Sequence, residues 1–164
     1  MKISINVLTW NNSSTIKLLL DAVHKDCNKI DYEIVIVDNG SDDGTVDIID
    51  TWIIDHNDVK TFFVKHKENK GISIGKNKGI NNSFGDYILM LDGDVVPVSG
   101  SIKLMIKYLD EHEECEALGM YPNKFINTLV NAEHECHTLH EPRKFKCCCL
   151  YYGIFRHSMF LKGL

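Results

Sequence analysis

Apolar residues along the chain gather into short β-branched runs separated by amphipathic stretches. Ile3–Leu8 (ISINVL), Glu33–Val37 (EIVIV), Thr61–Val64 (TFFV) and Tyr87–Leu91 (YILML) each have the length and residue types of one buried strand. Glu116–Tyr121 (EALGMY) is a weaker fifth. Between them, STIKLLLDAVHK, TVDIIDTWIID, ISIGKNKGINNS and SIKLMIKYLDEH carry helical patterns, with Ser14, Thr45 and Ser99 or Ser101 as expected N-caps. Such alternation predicts an α/β fold, a mostly parallel central sheet flanked by helices on both faces. Beyond Tyr121 the period weakens through residues 122–145, and KCCCLYYGIF (Lys146–Phe155) reads as one more strand.

Ligands of open parallel sheets lie beyond the carboxyl ends of the strands. There the chain places TWNN, DNGSDDGT, KHKENKG and DGDVVP in turn, so polar groups cluster on one edge. A length of 164 residues with 44% hydrophobic and 25% charged content predicts one domain over residues 1–164. A net charge of -5 argues against a nucleic-acid partner, which calls for a basic face. The opening run is broken by Ser4 and Asn6, and no later run reaches transmembrane length, so a cytoplasmic protein is expected. Six cysteines without paired spacing point to reduced thiols.

Asp92 and Asp94 flank Gly93 where the YILML run stops. Asp-Gly is common turn chemistry, but two carboxylates at the end of a buried strand also suit a hard cation, Mn²⁺ or Mg²⁺, whose other ligands come from water and phosphates. A phosphatase DxDxT is disfavoured, since Val96 stands at the threonine position and the pair follows the fourth strand. Asp38 ends the second run, where it reads either as a turn residue or as a ligand contact; without glycines in LTWNNSST, a nicotinamide site is not expected. GISIGKNKG fails as a phosphate loop, because its spacing is one residue short and Asn77 replaces the hydroxyl residue. Lys70, Lys76 and Lys78 nevertheless bring positive charge near the acidic edge. His134, Cys136, His137 and His140 have zinc-ligand types but lack a second pair at known spacing, so they are expected to be polar residues on the surface.

The order INVLTWNN, VIVDNGSDDGT, NKGISIGKNKGI and GDYILMLDGDVVP resembles the N-terminal part of family-two glycosyltransferases, inverting enzymes with a GT-A, Rossmann-like fold that use nucleotide-activated sugars. YYGIFRHSMFLKGL is similar to a later segment of that family. The resemblance implies a nucleotide-diphosphate sugar donor, commonly UDP-linked, and a glycan, lipid or protein acceptor. It implies that Thr9 and Trp10 flank the nucleobase with Asn11 beside them, that Asp38 accepts from the base, and that Lys76 lies near base or phosphate. Asp92 would contact ribose and metal, and Asp94 would ligate the metal. Lys76 stands where arginine is commoner, which removes a bidentate fork. By the same resemblance, residues 1–98 form the donor-binding part and 99–164 a partial acceptor-side part, expected to be C-terminally truncated.

Inverting transfer needs a general base. In the family this belongs to an acidic pair well after the two aspartates, and no Glu-Asp pair follows Asp94; Glu133, Glu135 and Glu141 are the nearest substitutes. The readings this leaves are a metal-dependent transferase, a nucleotide-sugar binding module or inactive fragment without the base, and a nucleotidyltransferase. The last is disfavoured because TWNNSST is not a glycine-rich basic loop.

Overall fold

A computed structural model describes residues 1–119 and 152–161. The elements are β1 (Ile3–Thr9), α1 (Ile16–Asp26), β2 (Tyr32–Asp38), α2 (Thr45–Asp55), β3 (Lys60–Lys65), α3 (Ile72–Ile80), β4 (Tyr87–Asp92), α4 (Ser101–Glu111), β5 (Ala117–Gly119), β6 (Tyr152–Arg156) and a short α5 (Ser158–Leu161). The strands form one sheet in the order β3-β2-β1-β4-β6-β5. β1 to β4 pair in parallel, and β6 runs antiparallel to both β4 and β5. The mostly parallel sheet expected from the alternation is therefore present, with one reversed strand.

Strand alternation divides β1 between two unlike faces. Ile5 pairs with Ile34 and Leu89, and Val7 with Ile36 and Leu91, so laterally aligned apolar residues form one layer. Leu19, Leu20 and Val23 of α1, Ile49 and Trp52 of α2, and Ile102, Met105 and Leu109 of α4 cover it as one buried cluster. Fully burying a side chain of this size contributes about 1.5–3 kcal/mol, which makes this layer the main source of stability.

The opposite face carries Ser4 and Asn6, both buried, and receives α3. A Cβ on Gly75 would lie 2.4 Å from Leu8 Cδ1, and one on Gly79 would lie 2.2 Å from Asn6 Oδ1. The two glycines thus let the α3 backbone rest directly on β1. Helices cover both faces, but unequally.

Buried Glu33 closes the lower end of this face. Its Oε1 accepts from Ser4 Oγ and from Phe84 N, each at 2.7 Å, while Lys60 Nζ lies 2.7 Å from Oε2. Ser4 Oγ in turn accepts from Gly85 N at 2.8 Å. This clamp ties the entry of β4 to β1 and β2, and so sets where β4 ends.

The helix starts differ from expectation. Thr15, Gly44 and Gly100 occupy the N-cap positions of α1, α2 and α4 in place of Ser14, Thr45 and Ser99 or Ser101, and none makes a side-chain cap bond. For α2 and α4, carboxylates supply the acceptors. Asp43 Oδ1 takes Thr45 N at 3.0 Å. Buried Asp26, at the end of α1, takes Gly100 N and, at 2.8 Å, Ile102 N. A carboxylate at a helix N-terminus is favoured by the partial positive charge there.

Arg156, the arginine of the late segment, works at the other end of α4. Its guanidinium donates to the carbonyls of Leu109, His112 and Cys115, the last through Nε at 2.8 Å. Among the described residues Cys27 and Cys115 are buried, and burial pushes the Cys27 thiol up to about 12. No helix among them is long and apolar enough to cross a membrane. His134, Cys136, His137, His140, Glu133, Glu135, Glu141 and Cys147–Cys149 lie outside the described residues.

Burial acts to raise the Glu33 carboxyl, but the bonds from Lys60, Ser4 and Phe84 N outweigh it and hold the group below its ordinary range. A depressed folded value means that its stabilisation is complete above the ordinary value and is lost as pH falls through the folded one. Glu33→Gln is expected to lose about 1–3 kcal/mol at pH 7. Denaturant unfolding of both proteins from pH 7 into the acid range should show the gap closing as wild-type Glu33 becomes protonated.

Candidate active site

Sheet register brings the candidate residues together before any loop contributes. Thr9 lies opposite Asp38 across β1 and β2, and Leu8 lies opposite Asp92 across β1 and β4. Neighbouring strands are about 4.8 Å apart, so residues distant in sequence end side by side. The ladder runs one residue further on each side: Asn39 N donates to Thr9 O and Gly93 N to Leu8 O, both at 2.8 Å.

The loops beyond are stitched by short polar side chains. Asn11 adopts a left-handed backbone (φ 54°), a conformation that asparagine tolerates better than most residues. Its N–H donates to Ser41 Oγ at 2.8 Å and its Oδ1 accepts from Asp42 N at 3.0 Å. Asn12 N donates to Thr45 Oγ1 and Ser13 N to Asp43 Oδ2. Thr9 Oγ1 and Trp10 N both donate to Asn12 Oδ1, at 2.9 and 3.1 Å. The loop therefore holds Trp10 with its indole more than half exposed, next to buried Thr9.

Asp38 performs the turn role weighed for it from sequence. Its Oδ2 accepts from Gly40 N and Ser41 N at 3.0 Å each, and its Oδ1 accepts from Ser41 Oγ. One acceptor position on Oδ1 remains, since a carboxylate oxygen has two lone pairs. Asn39 beside it is a hub that sequence reasoning missed. It accepts from Lys70 N at 3.0 Å, shares a 3.2 Å bond with His66 Nδ1, and donates to Asn69 Oδ1 at 2.8 Å. Asn12, Ser41 and Thr15 were missed too, although the density of Asn, Ser and Asp after β1 and β2 was the available signal.

Asp92 ends β4, where Lys76 Nζ from α3 lies 3.1 Å from its Oδ1. Asp94 is exposed, and its carboxylate has no partner among the described residues. Gly93 between them is hemmed in: a Cβ there would meet Asn12 Oδ1 at 2.4 Å and Thr9 Oγ1 at 2.6 Å. Its carbonyl accepts from Thr15 Oγ1 at 2.9 Å, which anchors the aspartate pair to the start of α1. Lys78 is exposed on α3, and Lys70 enters the edge through its backbone N–H.

Among the described residues no third His, Cys, Asp or Glu joins Asp92 and Asp94 as a metal cluster. Two carboxylate groups with open surroundings on the Asp94 side fit a hard, oxygen-seeking cation that completes its shell from water and a phosphate ligand. They do not fit a closed structural site, which would need about four protein ligands.

Comparison with known proteins shows the family and the fold. Residues 4–159 match the family model described as glycosyl transferase family 2. The uncharacterized glycosyltransferase YfnE of Bacillus subtilis (strain 168) is 27% identical over 122 residues, which is 74% of this chain and 30% of that protein. The mannosyltransferase PcManGT from Pyrobaculum calidifontis, solved in complex with GDP-Man and Mn²⁺, superposes with a TM-score of 0.79 at 20% identity, over 98% of this chain and 46% of that one. S. aureus TarS in complex with UDP-GlcNAc superposes with a TM-score of 0.70 at 21% identity, over 99% and 47%. The chain thus spans about a third to a half of the length of these relatives. The sheet order and helix placement match the GT-A, Rossmann-like fold of the solved pair. The family match over nearly the whole chain makes this chain a member of glycosyltransferase family 2.

Proposed function

We propose that residues 1–98 are the donor-binding part of a metal-dependent glycosyltransferase that uses a nucleotide-diphosphate sugar, UDP-linked in the first instance. In this reading the sugar passes with inversion to a hydroxyl of a glycan, lipid or protein. The observation that carries it is the meeting of Asp92, Asp94 and Lys76 at the end of β4, one strand from Thr9 and two from Asp38. Support comes from PcManGT, solved with GDP-Man and Mn²⁺, and from TarS, solved with UDP-GlcNAc.

The exposed Trp10 indole offers a flat apolar surface for a nucleobase, with Thr9 closing one side. The remaining acceptor position on Asp38 Oδ1 would take a base N–H, with Asn11 in the loop bonded to Ser41 beside it. Asp92 and Asp94 would hold Mn²⁺ or Mg²⁺ together with the diphosphate. When bound, that cation supplies Lewis-acid charge to the leaving diphosphate. Lys76 adds positive charge on the side of the diphosphate facing α3, where carboxylates alone would repel it.

A nucleotide-sugar binding module without transfer is a second reading, favoured by the lack of a Glu-Asp pair after Asp94. Detection of glycosylated product from any acceptor separates it from the first.

Calorimetric titration of UDP and GDP with Mn²⁺, with Mg²⁺ and with EDTA is expected to show metal-dependent binding. Asp94→Ala should weaken it by about 100-fold, the upper end of what loss of a group supporting a metal site does. Because Trp52 is buried and Trp10 is not, the same titration should quench tryptophan emission in wild type and leave it unchanged in Trp10→Phe. Absence of nucleotide binding under every condition overturns the reading.

Gly93→Ala tests the geometry without touching a carboxylate. The added methyl must displace Asn12 or Thr9, at a stability cost of about 1–3 kcal/mol. Metal-dependent nucleotide binding should fall although both aspartates are intact, whereas unchanged binding would mean that the tight turn does not position them.

A further inference from the structure

Asp92 and Asp94 are unequal. Asp92 is three-quarters buried and shares its Oδ1 with Lys76 at 3.1 Å, while Asp94 is exposed and without a partner among the described residues. Lys76 is equally shielded, and the seating of Gly75 and Gly79 on β1 fixes the helix face from which it emerges. Lys76 also lines a small cavity beneath α3 with Asn6, Leu8, Val37 and Met90. The ammonium thus occupies one of the two carboxylates that a cation needs.

From this ion pair, and resting on the donor-site reading above, we infer that Lys76 and the divalent cation compete for Asp92. In the ligand-free protein Lys76 is the counter-ion of Asp92. A cation arriving alone meets one open carboxylate, one neutralised carboxylate and a repelling positive charge. A diphosphate changes the balance, because its oxygens give Lys76 another anionic acceptor and free Asp92 for the metal. Nucleotide and cation then raise each other's affinity, and by linkage the factor is the same in both directions. Lys76 is a positioning residue in this scheme, since it acts on the cation through Asp92.

Mn²⁺ binding, read from the electron paramagnetic resonance signal of the free ion, tests the inference on wild type, Lys76→Met, Lys76→Gln and Lys76→Arg, each with and without UDP or GDP. The two neutral variants are expected to bind Mn²⁺ alone about threefold to tenfold more tightly than wild type, the range for removing a partly exposed pair together with a nearby like charge. Lys76→Arg, which keeps the charge, should stay near wild type. Nucleotide should enhance Mn²⁺ affinity strongly in wild type and less in the neutral variants. Equal Mn²⁺ affinity in wild type and both neutral variants, with nucleotide enhancement intact in wild type, sinks the competition and leaves the donor site standing. No Mn²⁺ binding by wild type even with nucleotide overturns both.

Discussion

The register of β1 between β2 and β4 is the constraint on which the site depends. Thr9 meets Asp38 and Leu8 meets Asp92 only in this alignment, and a slip of one residue would turn every side chain of β1 to the other face. The alignment is held at both ends. Glu33, Ser4 and the Phe84–Gly85 backbone clamp the start, and the bonds from Asn39 N and Gly93 N extend the ladder past the finish. The apolar layer stabilises the sheet as a whole, but these polar contacts decide where each strand stops.

The two faces of the sheet divide the work. The α1, α2 and α4 face is a continuous apolar cluster whose helices Asp26 and Arg156 tie at their ends. The α3 face is thin, because glycines replace side chains at the contact, and it carries buried Ser4, Asn6 and Glu33. Close approach of α3 brings Lys76 within reach of β4. A helix seated on larger side chains would stand further from the sheet and move the ammonium away from Asp92.

Much of this was legible in the sequence. The strand runs, the helical patterns and the parallel alternation follow from local periodicity, and the four strand-end motifs identified the family before any coordinate. What escaped were pairings between residues far apart along the chain. Asp26 is charged and ends a helix, so nothing local marks it as the acceptor for Gly100 and Ile102. Arg156 looked like part of a family signature, yet the structure uses it on the carbonyls at the end of α4. The expected caps failed for a related reason: Thr45 and Ser101 are the first helical residues, and glycines precede them. Asn39 and Asn12 look like ordinary loop residues until the loops they join are seen together.

The reversed strand β6 has a consequence for how the chain is made. It covers the open side of β4, the strand that delivers Asp92 and Asp94, but it lies about 60 residues further along. At ribosomal rates of about 5–20 residues per second, several seconds separate the emergence of the two strands. During that interval β4 presents an unpaired edge to the crowded surroundings of the ribosome. A helper that shields nascent strands, or a pause that delays β4, would matter most over this window.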